Sequence, residues 1–332
     1  SFQVFRKITI PMIMPAISIC MLTSMTFAFK LFDIIMVFTK GGPANSTVSV
    51  AYNIYKEAFV NSKYGLATAK SLVCAIFWLM PLVLIFINSF KPYNDMLQDF
   101  LALPKSWSLK MYMETWTKFG FPSLIFNTLL YTFCTVILVV LMAPMAAYKL
   151  ARTKSRLSKI CFVLIIMPMM VPFQSYMITL TRLVSNVKLT GTRTGYILVS
   201  VGLCMPLAVY MIHGFVKNVP IDLEECACID GAGKIRTYFS IVLPLLKPIL
   251  TTVVVLDALA TWNDIITNQL IVGGNTVAMN IQNALYMQFS AQTADWEHAL
   301  PGIVMSMIPS LIFFVVMQKH IVGGITAGAV KG

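Results

Sequence analysis

The chain has 332 residues, of which 58% are hydrophobic and 11% charged, with a mean hydropathy of +0.79. A soluble domain carries about 25% charged residues, so a water-soluble globule is excluded. Apolar runs of roughly 20 residues without period-two alternation exclude a β-barrel and predict an all-α, polytopic transmembrane helix bundle. The net charge of +12 comes without a basic, aromatic-interleaved surface for nucleic acid, and reads as cationic loops facing the cytoplasm.

Ser1–Arg6 is not a targeting sequence, and the chain reads as starting part-way through a unit. Residues 5–15, FRKITIPMIMP, echo residues 238–248, YFSIVLPLLKP, with Ile8, Pro11 and Pro15 falling on Ile241, Pro244 and Pro248 at an offset of 233. Further on, Asp33 answers Asp264, and Gly41-Gly42 answers Gly273-Gly274. Residues 1 to about 72 therefore read as a second copy of 234 to about 305. Pro15 to Phe38 is an expected span. Its Lys30 and Asp33 form either a mutually neutralising pair at the interface or part of a polar pathway, since intramembrane ionisable groups face a bundle interior. Residues 40–70 are polar, with turn signals at Gly41-Gly42-Pro43 and Asn45-Ser46.

Leu72 to Phe90 is the next apolar run, followed by Pro122 to Tyr148. The loop from Lys149 to Lys159 carries five cations and no acid, which places it in the cytoplasm. Ile160 to Leu180 is expected to span outward, interrupted by Pro168 and Pro172. After a loop, Thr181–Thr194, the run Gly195 to Val216 returns inward with Pro206 inside it. Leu245 to Val272 spans outward, Asn275 to His298 is an external segment, and Pro301 to Met317 leads to a cytoplasmic tail. Seven cysteines are scattered, mostly in apolar runs, and Cys226-Ala227-Cys228 lacks the two-residue spacing of a zinc or redox motif. Neither a disulfide framework nor a metal site is expected. Asp230-Gly231-Ala232-Gly233-Lys234 fails the phosphate-loop pattern, because position 228 is Cys and position 235 is Ile. His213, His298 and His320 are too dispersed for a triad, so no catalytic residue is assigned and the chain is not expected to be an enzyme.

Buried polarity concentrates on the Leu245–Val272 run: Asp257, Thr261, Trp262, Asn263, Asp264 and Gln269. Asp257, Thr261 and Asp264 share a face at helical spacing. A charge at a helix centre costs roughly 3 kcal/mol or more, which points to a water-accessible pathway. Interhelical hydrogen bonding is the competing account. Trp262 beside amides and carboxylates suits a sugar, with its apolar ring face and hydroxyl edge.

The segment from Glu224 to Pro248, EECACIDGAGKIRTYFSIVLPLLKP, mixes acids, glycines and bases between two apolar runs. Its Glu225-Cys226-Ala227, then Asp230-Gly231, then Ile241-Val242-Leu243-Pro244 resemble the E-A-A, three residues, G, nine residues, I-x-L-P signature of permease subunits of ATP-binding cassette (ABC) importers. Cys226 stands where that family usually has Ala, another small residue. The resemblance implies an ABC importer permease fold in which this loop docks a short helix on a cytoplasmic ATPase. Gly-Gly-Pro-Ala-Asn-Ser-Thr at 41–47, the loop Lys91–Asp95 with Leu103–Trp107, and the glycine-rich end from Gly323 resemble carbohydrate-uptake permeases of the maltose and glycerol-phosphate type.

What the resemblance implies is alternating access. The partners would be two ATP-binding cassette subunits carrying ATP and Mg, an extracytoplasmic solute-binding protein and a second permease subunit in a heterodimer, all at a bacterial inner membrane in contact with lipid. One span cannot run from outside to outside, so residues 1–72 are expected to be the C-terminal fragment of a first copy. Residues 73–332 would be a second copy with about six spans and a coupling loop near 217–244. A genuine fusion with a re-entrant segment is the other reading. An importer of a non-sugar solute such as glycerol phosphate, or an ion-coupled secondary transporter, are the alternatives. The latter usually has inverted repeats, whereas both copies here place their coupling-type segment on one side.

Overall fold

A computed structural model describes residue 32 and residues 35–290 and 295–329, with side chains described as far as 288 and 318 in the two longer stretches. Lys30, Asp33 and most of the expected first span lie outside these residues. The chain divides into two compact units, 1–106 and 107–332.

The described part of the first unit has the short helix α1 (Val50–Tyr55), the long α2 (Tyr64–Asn88) and α3 (Tyr93–Gln98), with π-turns at Ile35–Thr39 and Lys56–Val60. α2 begins at Tyr64, so the expected start at Leu72 is corrected by eight residues: residues 64–71 continue the same helix, and it runs unbroken past residue 73. Ser49 caps α1 by accepting from the Tyr52 amide at 3.2 Å. The Tyr52 hydroxyl in turn donates to the Lys40 carbonyl at 3.0 Å, fixing the Gly41-Gly42-Pro43 turn. Lys70 on α2 donates to Asn53 at 2.7 Å and pairs with Glu57 at 3.3 Å. Beyond α2, Asn88 Nδ2 donates to Leu84 and Phe100 carbonyls, and Lys91 Nζ to that of Asp99 at 3.0 Å. Lys91 is only 2% exposed, and burial holds its ammonium below the usual lysine range.

The second unit contains α4 (Lys110–Lys118), α5 (Phe121–Arg152), α6 (Arg156–Ile166), α7 (Phe173–Asn186), α8 (Arg193–Asn218), α9 (Asp222–Ile229), α10 (Lys234–Thr237), α11 (Leu243–Leu245), α12 (Lys247–Trp262), α13 (Ile266–Val272), α14 (Ile281–Ser290) and α15 (Trp296–Ala329). α5 and α8 form its most extensive helix pair, and α12 packs on α5, α8 and α15. The core is a seam of Val139, Ala143 and Ala147 from α5 against Val201, Ala208, Val209, Ile212 and Val216 from α8, closed by Val242, Leu246 and Val253. Small residues on α5 let the backbones approach closely, which is how helices associate when lipid is as apolar as the helix surface.

Among the described residues, four helices (α2, α5, α8, α15) are long and apolar enough to span a membrane, or up to six spans if each of two bent pairs counts as one. The interruption expected at Pro168 and Pro172 is present, whereas the continuous helix expected over Leu245 to Val272 is corrected. Ile160 to Leu180 is α6, a 3₁₀ turn Met167–Met170 and α7, with the two arms bent by 109°. Pro168 and Pro172 remove two amides and clash with the preceding turn. Leu245 to Val272 is interrupted at Asn263–Ile265, so Asp264 lies beyond the end of α12 and does not share its helical face with Asp257 and Thr261. At its other end α12 turns 71° from the Lys234–Leu245 arm. The Lys149–Lys159 loop shortens to Thr153–Ser155, where Ser155 caps α6, and the expected tail is helical to Ala329.

Candidate functional site

The E-A-A segment is α9. Asp222, Glu224 and Glu225 occupy its first turn, where carboxylates meet the free amides and positive end of the helix dipole. Its end has a defined cause. The Ala232 amide donates to the Ala227 carbonyl at 2.9 Å and the Gly231 amide to that of Cys228 at 3.0 Å, the paired bonds of a Schellman termination. The residue after the cap must then be left-handed, and Gly231 has φ +81°. An added Cβ there meets nothing within 4 Å, so conformation rather than crowding demands glycine.

α9 has two faces. Ala227 is buried, while Glu225, Cys226, Asp230 and Gly231 are exposed. Ile229 is 85% and Ile235 76% exposed, amid the exposed charges of Glu225, Asp230, Lys234 and Arg236. The return arm continues through α10 and a π-turn, Tyr238–Val242, to α11. Of the expected Ile241, Leu243 and Pro244, the first two are half-buried and Pro244, at the start of α11, is exposed. The deeper anchors are residues sequence reasoning missed: Tyr238, Val242 and Leu246, all in the core seam. Their i, i+4, i+8 spacing was the available signal.

Glu224 was also missed. One carboxylate oxygen accepts from Arg152 Nε at 2.7 Å and the other from the Tyr148 hydroxyl at 2.7 Å. Arg152 Nη2 donates to the Val219 carbonyl at 2.8 Å. The Tyr148 ring lies 5.2 Å from that of Tyr238. Adjacent glutamates thus face opposite ways, Glu224 into the unit and Glu225 out of it.

The expected pathway residues divide. Asp257, Thr261 and Trp262 are buried, with the Cys204 thiol of α8 against Asp257 and Thr261. Asp257 Oδ2 and Trp262 Nε1 have no hydrogen-bond partner among the described residues. Trp262 packs with Phe121, Leu124, Met279 and Ile281 in an apolar cluster. Asn263 is exposed and bonds back to the Leu259 carbonyl, and Gln269 is exposed on α13. Asp264 sits at the break, accepting from the Tyr196 hydroxyl at 2.8 Å and from the Thr267 amide at 3.1 Å.

Around that break lies a lattice of buried amides. Asn268 Oδ1 accepts from the Asn280 amide and from Asn283 Nδ2, and Asn280 Nδ2 donates to the Asp264 carbonyl at 2.7 Å. From α5, Asn127 donates to the carbonyls of Val277 and Met279, Tyr131 to that of Ala278, and Thr128 accepts from the Ile281 amide. Asn127, Thr128 and Tyr131, on one helix face, therefore hold the irregular segment 277–281, whose buried backbone groups need partners. These partners are separated by about 150 residues in sequence and carry no local signal.

Residues 140–325 match the family described as "Binding-protein-dependent transport system inner membrane component". The chain is 33% identical over 269 residues to the "Probable starch degradation products transport system permease protein AmyC" of Thermoanaerobacterium thermosulfurigenes, covering 80% of this chain and 96% of that protein. It is 31% identical over 271 residues to the "Melibiose/raffinose/stachyose import permease protein MelC" of Bacillus subtilis, covering 80% and 95%. A crystal structure of a bacterial ABC transporter involved in the import of the acidic polysaccharide alginate shares the fold, with a TM-score of 0.68 at 23% identity over 79% of this chain and 97% of that one. With a signature loop ordered by its glycine, helices of spanning length and these relatives, the chain is a multi-pass membrane protein that belongs to the binding-protein-dependent transport system inner membrane component family.

Proposed function

We propose that the chain forms transmembrane parts of an ATP-driven importer that moves a sugar or oligosaccharide across a bacterial plasma membrane by alternating access. The observation that carries this reading is the two-faced coupling segment: Glu225, Cys226, Asp230, Ile229 and Ile235 face outward beside a glycine-locked turn, while Ala227, Tyr238 and Val242 hold it to the core. Exposed apolar residues rimmed by charges mark a protein-docking face, and the partner is an ATP-binding cassette subunit that carries ATP and Mg. Solute arrives from an extracytoplasmic binding protein, and a second permease subunit completes the pathway. The names of AmyC and MelC support a carbohydrate as cargo.

Within the pathway, Asn263 at the end of α12 and Gln269 on α13 are the exposed candidates for solute contact, with Asp257, Thr261 and Trp262 on α12 and Asp264 at the break behind them; Lys30 and Asp33 keep the same assignment in the first segment. Residues 1–72 are proposed to derive from a first permease copy and 73–332 from a second.

The test is ATP hydrolysis and labelled-sugar uptake by the complex in liposomes, with and without loaded binding protein, for the native chain and Gly231→Pro. Proline cannot adopt φ +81° and removes the amide that bonds Cys228. Stimulation by loaded binding protein that Gly231→Pro abolishes is the expected result. Uptake that follows an ion gradient without ATP would sink the reading.

A further inference from the structure

The side chains behind the coupling helix carry an inference that rests on the importer reading but concerns residues outside the signature. Arg152 ends α5. Its guanidinium reaches Glu224 on α9 at 2.7 Å and the Val219 carbonyl, the cap of α8, at 2.8 Å. Tyr148, one turn earlier on α5, reaches the other Glu224 oxygen at 2.7 Å and places its ring against Tyr238 on the return arm. Two side chains of α5 thus hold both arms of the coupling segment and the end of α8.

The ion pair is largely shielded, with side-chain exposures of 18% for Arg152 and 14% for Glu224. Charge-assisted bonds of this length are roughly twice as strong as neutral ones, and removing one partner leaves the other buried and uncompensated. By contrast, the peptide that leads from α8 into α9 passes through Val219-Pro220-Ile221 without regular structure.

We propose that Tyr148, Arg152 and Glu224 form a positioning clamp through which displacement of the docked coupling helix is delivered to α5. In this division of labour Glu225 faces the ATPase and Glu224 faces the bundle. Ile221–Ile229 then moves as one body with the cytoplasmic end of α5, rather than pivoting about its glycine.

Two readouts test this in the complete complex. The first is amide hydrogen exchange over residues 222–232 in native, Arg152→Gln, Glu224→Gln and double-variant complexes. The second is the ratio of sugar imported to ATP hydrolysed in liposomes at equal complex yield, a quantity that a merely structural contact would not move. The expected result is faster exchange and a ratio lowered about tenfold, the loss of roughly one strong hydrogen bond. The double variant should lose no more than either single one, as for partners in one interaction. Unchanged exchange with an unchanged ratio overturns the clamp while leaving the importer reading intact, and so do losses that add in the double variant. Absence of ATP-driven uptake in the native complex overturns the importer reading itself and removes the clamp's transmitting role with it.

Discussion

The two ends of the second unit solve the same problem in different ways. Both the coupling segment and the region from Asn263 to Asn283 interrupt α-helices and free backbone groups that need partners. At the coupling segment the turn itself is closed locally, with Gly231 and Ala232 bonding back to α9. Arg152 reaches from α5 to the backbone at its entry, the Val219 carbonyl, and the outward face is left to solvent or a partner. At the other end it is remote, with Asn127, Thr128 and Tyr131 of α5, Tyr196 of α8 and Asn268 of α13 reaching across. Water can complete a turn at the rim but not within the bundle, so the buried break recruits side chains where the exposed one uses a glycine. A break meant to present a surface stays cheap to move, whereas one built from interlocked amides holds a single arrangement.

That contrast can be broken by substitution. Asn268→Leu strips the acceptor from the Asn280 amide and from Asn283 Nδ2 at a fully buried position. Each orphaned group costs about 1–3 kcal/mol, so this is the largest expected loss, read as a lowered melting temperature of the detergent-purified chain. A melting temperature equal to the native one would show that the lattice is not under load. Thr128→Val keeps the shape but removes the acceptor for the Ile281 amide, and should cost about 1–2 kcal/mol in the same melt.

Gly231→Ala tests the other side. With open space at the Cβ but φ +81°, it should cost about 1 kcal/mol, and Gly231→Asn less, since Asn tolerates that conformation. If Ala and Asn cost the same, the left-handed turn is not what the glycine serves. The smallest effect is expected at Asp295, which pairs with Lys118 and His298 at 3.1 and 2.7 Å. Burial pushes its carboxyl up, but the bonds from His298 and Lys118 prevail and hold it below the usual carboxylate range. A carboxyl lowered on folding contributes stability above its unfolded pKa near 4 and loses it as pH falls through the folded value. Native and Asp295→Asn melting curves should therefore differ by at most about 1 kcal/mol at pH 6 and converge toward pH 3. A gap that widens with acid would reverse the sign.

Much of this architecture is legible in the residues. The α5, α8 and α15 spans follow from hydropathy, and the coupling turn follows from one glycine at a fixed offset from Glu225. Pro168 and Pro172 marked the interruption between α6 and α7, but the size of the bends was less legible, because proline in a membrane helix is compatible with a kinked or broken course and neighbouring helices decide which. Glu224 was hidden because its partners, Tyr148 and Arg152, are more than 70 residues away. Beside Glu225 it looked like one more acid in a first turn. Trp262 illustrates the opposite limit: its chemistry suits a sugar, yet the fold seats it among Phe121, Leu124 and Met279, which no spacing rule foretells.

The 71° corner between the Lys234–Leu245 arm and α12 has a mechanical consequence. Leu246 is fully buried at the vertex, and its amide is shared between the Val242 and Leu243 carbonyls, so the corner is a seated bearing rather than a loose joint. A thrust along the return arm meets α12 nearly broadside and is delivered mainly as a sideways sweep. Under the importer reading, the elbow acts as a bell crank: a push parallel to one shaft emerges as a swing of the other, which carries Asp257 and Thr261 near its far end.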